Sequence, residues 1–160
     1  MPQRSGGSPT LQSASMRPNY WVPPLLWMAV IFWMSTDSFS AAVTGSVLLP
    51  WLHYLLPWAS PAQLEWLHAA LRKLTHLTNY AVLALLWYRA FVGGLRLPGR
   101  RAAALALGIA VAWAGFDEGH QTMVPSRSGS VVDVAIDSTG AAIALVRALV
   151  RGTLGLHAAT

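Results

Sequence analysis

The chain has 160 residues, of which 54% are hydrophobic and 11% are charged, with a formal net charge of +5. Soluble domains carry about 25% charged residues, so this composition argues against a soluble protein. The basic residues form no run and no strip interleaved with aromatics, which disfavours nucleic-acid binding, and the absence of Cys excludes disulfides and thiolate metal sites.

The charges are sorted along the chain. All six acidic residues lie in two stretches, between the first and second apolar segments and around the link between the third and fourth. All but Arg72, Lys73 and Arg127 of the eleven basic residues lie at the opposite ends of those segments. Lys and Arg are retained on the cytoplasmic side of a bilayer. We therefore predict a multi-pass protein of the bacterial cytoplasmic (inner) membrane with both termini in the cytoplasm.

The N-terminal part of the chain is predicted to be a tail followed by a span. Residues 1–18 are rich in Ser, Gly, Pro and Gln, which is typical of a disordered cytoplasmic tail. The apolar segment at about residues 19–36 is near the lower length limit for a membrane span. A cleaved signal peptide is the alternative, since Ser40 and Ala42 are small residues at a spacing typical of cleavage sites. We favour a span, because it completes an even set of four with consistent charges.

A second helix is expected after an interrupted apolar stretch. Glycine and proline interrupt residues 41–59, which predicts an interfacial amphipathic segment on the outer leaflet. Ser60-Pro61-Ala62-Gln63 has the pattern of a capping box with Pro at the first helical position. One helix from Pro61 to Val92 is expected, with its membrane span at about residues 71–92.

Two further spans are predicted at about residues 102–116 and 131–150, followed by a short cytoplasmic tail at residues 152–160. Small residues suggest where these helices approach their neighbours closely. Gly108, Ala112, Gly115 and Gly119 form one such stripe, and Gly140 with Ala144 forms a small-xxx-small pair.

The predicted fold class is therefore an all-α membrane protein. Residues 19–151 form its domain, with four transmembrane helices and the interfacial segment between the first and second.

Polar side chains gather at one end of the predicted spans. Lys73, His76 and Tyr80 share one helix face. A charge at the bilayer centre costs about 2.5–3.5 kcal/mol on insertion scales, so polar groups from several helices are expected to meet at the outer end. The predicted site comprises Lys73, His76, Tyr80, Asp117, Glu118, Gln121, Arg127, Asp133 and Asp137.

The chemistry of this site admits several interpretations. The acids and His120 offer metal ligands, but no HExxH or comparable spacing occurs and cations lie nearby, so we predict no metal and no cofactor. Acids in the first turn of a helix also complement its dipole, and Arg72 and Lys73 can snorkel to the interface. A phosphate- or sugar-bearing headgroup fits the mixed charges best, with cations on phosphate and carboxylates on hydroxyls.

Three motifs resemble those of the VanZ-like (teicoplanin-resistance-associated) membrane proteins. Residues 73–80, Lys-Leu-Thr-His-Leu-Thr-Asn-Tyr, resemble the family's Lys-x-x-His-x-x-x-Tyr signature. Residues 117–121, Asp-Glu-Gly-His-Gln, resemble its Asp-Glu-x-x-Gln element. Residues 124–140 resemble its Pro-x-Arg…Asp-x-x-x-Asn-x-x-Gly element, with Asp137 where the family usually has Asn.

The resemblance covers about residues 20–150 and implies a four-helix integral membrane protein. The family's name refers to lowered sensitivity to a lipoglycopeptide antibiotic. The additional charge of Asp137 predicts an additional partner for this side chain, with Arg127 and Lys73 as candidates.

The functional prediction is binding of a membrane lipid or a lipid-linked envelope precursor through the outer-face site. The resemblance implies an effect on glycopeptide-antibiotic sensitivity. One alternative is an enzyme acting on such a lipid with His76 or Glu118 as acid or base, although no distinctive local motif such as GxSxG occurs and a non-enzyme is favoured. Another is a structural or assembly factor whose polar cluster only locks the helices. The oligomeric state stays open.

Overall fold

The computed structural model of the protein describes residues 18–127 and 129–157, and within these residues all regular structure is helical. The elements in chain order are α1 (Pro18–Met34), a 3₁₀ turn (Asp37–Phe39), α2 (Ala41–Leu55), α3 (Pro61–Gly94), α4 (Gly99–Gln121) and α5 (Val131–His157). The predicted all-α class is thus supported. Apart from Pro18, the predicted N-terminal tail lies outside the described residues, and α5 extends through residues 152–157 of the predicted C-terminal tail.

The start of α3 follows the sequence prediction. The Ser60 side chain accepts a hydrogen bond from the Gln63 N–H at 3.3 Å, and the Gln63 side chain accepts one from the Ser60 N–H at 2.8 Å. Pro61 occupies the first helical position, where a missing N–H costs nothing. From this cap α3 runs for 34 residues, about 51 Å at 1.5 Å per residue.

α3 is the central element, because it packs against α1, α2, α4 and α5. Its buried side chains Tyr80, Leu83, Ala84 and Phe91 form the core together with residues of the neighbouring helices. Burial of this apolar surface holds the helices together. Because Tyr80 belongs to both the core and the predicted site, the core lies directly beside the other polar residues of that site.

The packing face of α4 differs from the predicted one. Gly108, Gly115 and Gly119 are exposed, and a Cβ added at any of them would meet no atom within 4 Å. The buried face is instead a stripe of alanines: Ala102, Ala103, Ala106, Ala110 and Ala114. The predicted glycine stripe was therefore wrong, because small residues occur all around α4 and their presence does not tell which face is covered.

Gly140 of α5 does lie at a close helix approach, as predicted. A Cβ at this position would overlap the main-chain carbonyl of Leu77 in α3. The backbones of α3 and α5 thus meet with no side chain between them.

The four predicted spans are not confirmed. Among the described residues, α4 is long and apolar enough to cross a membrane, and α1 with α2, bent by 78° at the break between them, could count as one more. The predicted spans at residues 71–92 and 131–150 lie within α3 and α5, where polar residues such as Arg72, His76 and Asp137 lower the mean hydropathy.

The contact at Gly140 predicts that the stability of the protein is sensitive to side-chain volume at this position. Gly140→Ala should lower the melting temperature of the detergent-purified protein by several degrees, because overpacking against a backbone carbonyl costs about 1–3 kcal/mol. Gly108→Ala is the matched control and should leave it unchanged or slightly higher, since Ala is the better helix former. Equal melting temperatures for the two variants would contradict the close approach.

Candidate functional site

The buried alanine face of α4 ends in polar side chains. Asp117, Glu118 and Gln121 continue the same face and are 1%, 4% and 4% exposed. The Gln121 side-chain amide donates to Asp117 Oδ2 at 3.1 Å and to Glu118 Oε1 at 3.3 Å. One amide therefore holds both carboxylates in place at the end of the helix.

The link between α4 and α5 folds back over this end of α4. The Ser130 N–H donates to Glu118 Oε2 at 2.8 Å. A Cβ at Gly129 would overlap the Glu118 carbonyl and the Thr122 side chain, so this close passage requires glycine. The roles of Gly129 and Ser130 are not predicted by the sequence, because a backbone donor leaves no signature in the residue type.

Asp137 is the most enclosed of the predicted site residues. It is 0% exposed, and among the described residues neither of its carboxylate oxygens has a hydrogen-bond partner. Its Oδ1 lies 3.5 Å from His76 Nδ1, which is longer than a well-formed hydrogen bond. The prediction that Arg127 or Lys73 is the partner of Asp137 is therefore wrong, since among the described residues the cationic side chain in contact with Asp137 is His76.

Lys73 and Asp133 form the outer rim of the site. Lys73 Nζ donates to Asp133 Oδ1 at 2.8 Å, and their side chains are 53% and 31% exposed. This ion pair joins α3 to the first turn of α5 in contact with solvent.

Two arginines donate hydrogen bonds to the corner between α1 and α2, which comprises residues 34–44, and not to the acidic side chains. Arg127 Nη2 donates to the carbonyls of Met34 and Thr36, at 2.6 and 2.8 Å. Arg72 Nη1 donates to the Phe39 carbonyl at 3.1 Å and to Thr44 Oγ1 at 3.2 Å. Among the described residues, Lys73 is thus paired with an acid and these two arginines are not. Their partners are neutral oxygens.

The surroundings of Arg127 disfavour its positive charge. Burial lowers the pKa of the Arg127 guanidinium from its ordinary value, and the nearby positive charge of Arg72 acts in the same direction. A guanidinium nevertheless stays protonated in proteins. The Arg127 Nε atom is buried and has no hydrogen-bond partner among the described residues.

Both arginines line one cavity of about 170 Å³ between α1, α2, α3 and α4. His76, Tyr80 and Asp117 contribute polar atoms to its wall, while Ile31, Leu48 and Leu71 make another part apolar. A neighbouring hollow of about 320 Å³ adds the remaining rim residues, including Lys73, Gln121, Ser126 and Asp133. The structure thus brings the predicted site residues together where the end of α4 and the beginning of α5 lie beside residues 73–80, in the middle of α3.

His68 and Thr44 also belong to this site, although the sequence analysis did not select them. Both line the cavity, and Thr44 Oγ1 lies 3.2 Å from His68 Nε2. His68 could have been found, because His68, Arg72 and His76 recur every four residues and so share one face of α3. Thr44 carries no comparable signal.

Three potential metal ligands lie close together beside the cavity, and one of them, His76, also lines it. One ligand atom each of His76, Glu118 and Asp137 lies within 4.8 Å of the other two. They come from three different helices, α3, α4 and α5. Of the potential ligands named from the sequence, Glu118 and Asp137 are in this group, and Asp117, His120 and Asp133 are not.

The exposed Lys73–Asp133 pair should contribute little to stability. Exposed ion pairs typically contribute about 0.2–1 kcal/mol, because solvent screens them. A double-mutant cycle with Lys73→Gln, Asp133→Asn and the double variant, followed by thermal unfolding, should give a coupling energy in this range. A coupling of several kcal/mol would show that the pair is a structural lock.

The family model described as VanZ/LLP1 matches residues 20–151, a range that contains the whole site. No curated protein sequence and no solved structure matches the chain. Because the matched range covers most of the 160 residues, the chain belongs to the VanZ/LLP1 family.

Proposed function

We propose that the protein binds the phosphate-bearing headgroup of a membrane lipid or a lipid-linked envelope precursor, in the cavity lined by Arg72 and Arg127. The observation that carries this proposal is the buried Nε of Arg127, a charged donor without a partner among the described residues. Within residues 18–127 and 129–157, no carboxylate lies within ion-pair distance of either guanidinium. The cavity wall therefore carries two guanidinium groups that no described carboxylate pairs with directly.

A phosphate group matches these two arginines chemically. The guanidinium group presents several N–H donors in a rigid fork that fits phosphate oxygens. The two arginines also affect each other unfavourably, since Arg72 contributes to lowering the pKa of Arg127, after burial. An anion beside both would offset this repulsion and satisfy the free Nε donor of Arg127.

The rest of the cavity suits the part of a headgroup that follows the phosphate. Asp117 Oδ1 and the Tyr80 hydroxyl are buried without hydrogen-bond partners among the described residues, and both residues line the cavity. A carboxylate accepts hydrogen bonds from hydroxyl groups, as a glycerol or sugar headgroup would offer. The polar and apolar parts of the wall therefore favour an amphiphile.

The volume of the cavity limits what it holds. Pockets for drug-sized ligands are about 300–1,000 Å³, so a cavity of about 170 Å³ accommodates a headgroup and not its hydrocarbon chains. Exposed apolar side chains such as Leu74 and Trp51 offer surface for the chains. If the headgroup belongs to a wall precursor, binding would alter the cell's sensitivity to glycopeptide antibiotics.

A structural role is the second candidate, and one observation favours it. Arg127 donates to two carbonyls at the end of α1, and Arg72 donates to the start of the α2 region. Both arginines therefore fasten the corner between α1 and α2 to the rest of the bundle. If this were their whole role, replacing them would lower stability and the protein would bind no headgroup.

The headgroup proposal predicts a selective loss of binding. The purified protein should bind short-chain phosphatidic acid and a polyprenyl phosphate, measured by native mass spectrometry, and should bind diacylglycerol far less. Arg127→Gln and Arg72→Gln should each weaken binding about tenfold or more, because a hydrogen bond to a charged group contributes about 1.5–3 kcal/mol. Arg147→Gln, which removes an exposed arginine further along α5, is the matched control and should bind normally.

Two controls make this experiment decisive. Inorganic phosphate at the same concentration shows whether the lipid part contributes, and weaker binding of free phosphate is expected. Melting temperatures of all variants separate loss of binding from loss of fold. Equal binding by the original, Arg127→Gln and Arg147→Gln forms would refute the proposed site, and absence of binding with a lowered melting temperature would favour the structural role.

A further inference from the structure

We propose that His76, Glu118 and Asp137 form a binding site for a divalent transition-metal ion, of the kind that accepts one imidazole and two carboxylates, such as Zn²⁺ or Mn²⁺. The geometric basis is that one ligand atom of each residue lies within 4.8 Å of the other two. An ion at their centre would join α3, α4 and α5.

The environment of Asp137 provides an independent reason. Its side chain is completely buried, and both of its carboxylate oxygens lack a hydrogen-bond partner among the described residues. A buried carboxylate without compensation is costly, so such groups are paired or coordinate metals. A dication would offer both Asp137 oxygens a partner, whereas His76 approaches one of them at 3.5 Å.

The contact between Asp137 and His76 has a length that suits shared coordination. The distance of 3.5 Å from Asp137 Oδ1 to His76 Nδ1 is long for a hydrogen bond. Nitrogen and oxygen ligands lie about 2.0–2.2 Å from Zn²⁺, so two ligands of one ion are roughly 3–3.6 Å apart. The two atoms are thus already spaced like neighbouring ligands, and Glu118 offers the third ligand atom within 4.8 Å of both residues.

Glu118 is held in position by its own hydrogen bonds. Oε2 accepts from the Ser130 N–H at 2.8 Å, and Oε1 accepts from the Gln121 amide at 3.3 Å. Each carboxylate oxygen has two lone-pair sites, so each keeps one for a metal. Hydrogen bonds of this kind orient ligands in established metal sites.

The sequence suggested that nearby cations would disfavour a metal ion, but each of these cations has an oxygen partner elsewhere. Lys73 is paired with Asp133, while Arg72 and Arg127 donate to neutral oxygens of the α1–α2 corner. Two carboxylates and a neutral imidazole balance the charge of a dication. The sequence shows no metal-ligand spacing because the three ligands come from three separate helices.

Metal titration tests this inference without any lipid. The untagged full-length protein in detergent, treated with a chelator and dialysed, is titrated with Zn²⁺ and with Mn²⁺ by calorimetry. About one ion per chain is expected for the metal that binds, and the Asp137→Asn and His76→Gln forms should bind it at least tenfold more weakly. Asp133→Asn removes a carboxylate outside the trio and should keep the original affinity.

A stability measurement distinguishes a lost site from a lost fold. Zn²⁺ or Mn²⁺ should raise the melting temperature of the original and Asp133→Asn forms, since a ligand that binds the folded state stabilises it, and should not raise that of Asp137→Asn. Arg127→Gln lies outside the trio and should still show the rise. The inference is refuted if neither ion binds, or if Asp137→Asn and Asp133→Asn bind equally well.

Discussion

The close approach of α5 to α3 at Gly140 is the constraint on which the polar site depends. With no side chain at this position, the α5 backbone lies against the Leu77 carbonyl, next to His76 on α3. Asp137 is three residues before Gly140, so the same approach carries its carboxylate into the interior beside His76. A larger residue at 140 would separate the helices at the depth where their polar groups meet.

The charges of the site are divided in a way that explains its chemistry. The two arginines face the α1–α2 corner and bind main-chain and hydroxyl oxygens. The buried acids Asp117, Glu118 and Asp137 lie toward α4 and α5, with Gln121, Ser130 and His76 beside them. Groups of opposite charge are therefore close without neutralising each other directly. This division is what the proposals of an anion beside the arginines and a cation beside the acids rest on.

The sequence predicted the features that depend on local chemistry. The capping box at Ser60, the approach at Gly140 and the clustering of the motif residues were all predicted, because each follows from residue type and helical spacing. The partners of Arg72 and Arg127 were not, since a backbone carbonyl is the same in every residue. The covered face of α4 also could not be predicted, because alanine and glycine are small on every side of that helix.

The alanine face of α4 does not by itself determine the position of this helix along its own axis relative to its neighbours. Ala102, Ala106, Ala110 and Ala114 repeat every four residues, so the face looks nearly the same after a displacement by one helical turn, about 5.4 Å along the axis. The alanines alone therefore do not fix the axial register of α4. The larger side chains Leu107, Ile109 and Trp113, which pack against the core, and the hydrogen bond from Ser130 to Glu118 distinguish one turn from the next. The polar end of the helix thus contributes to the alignment of its apolar part, so a residue of the site also takes part in the assembly of the bundle.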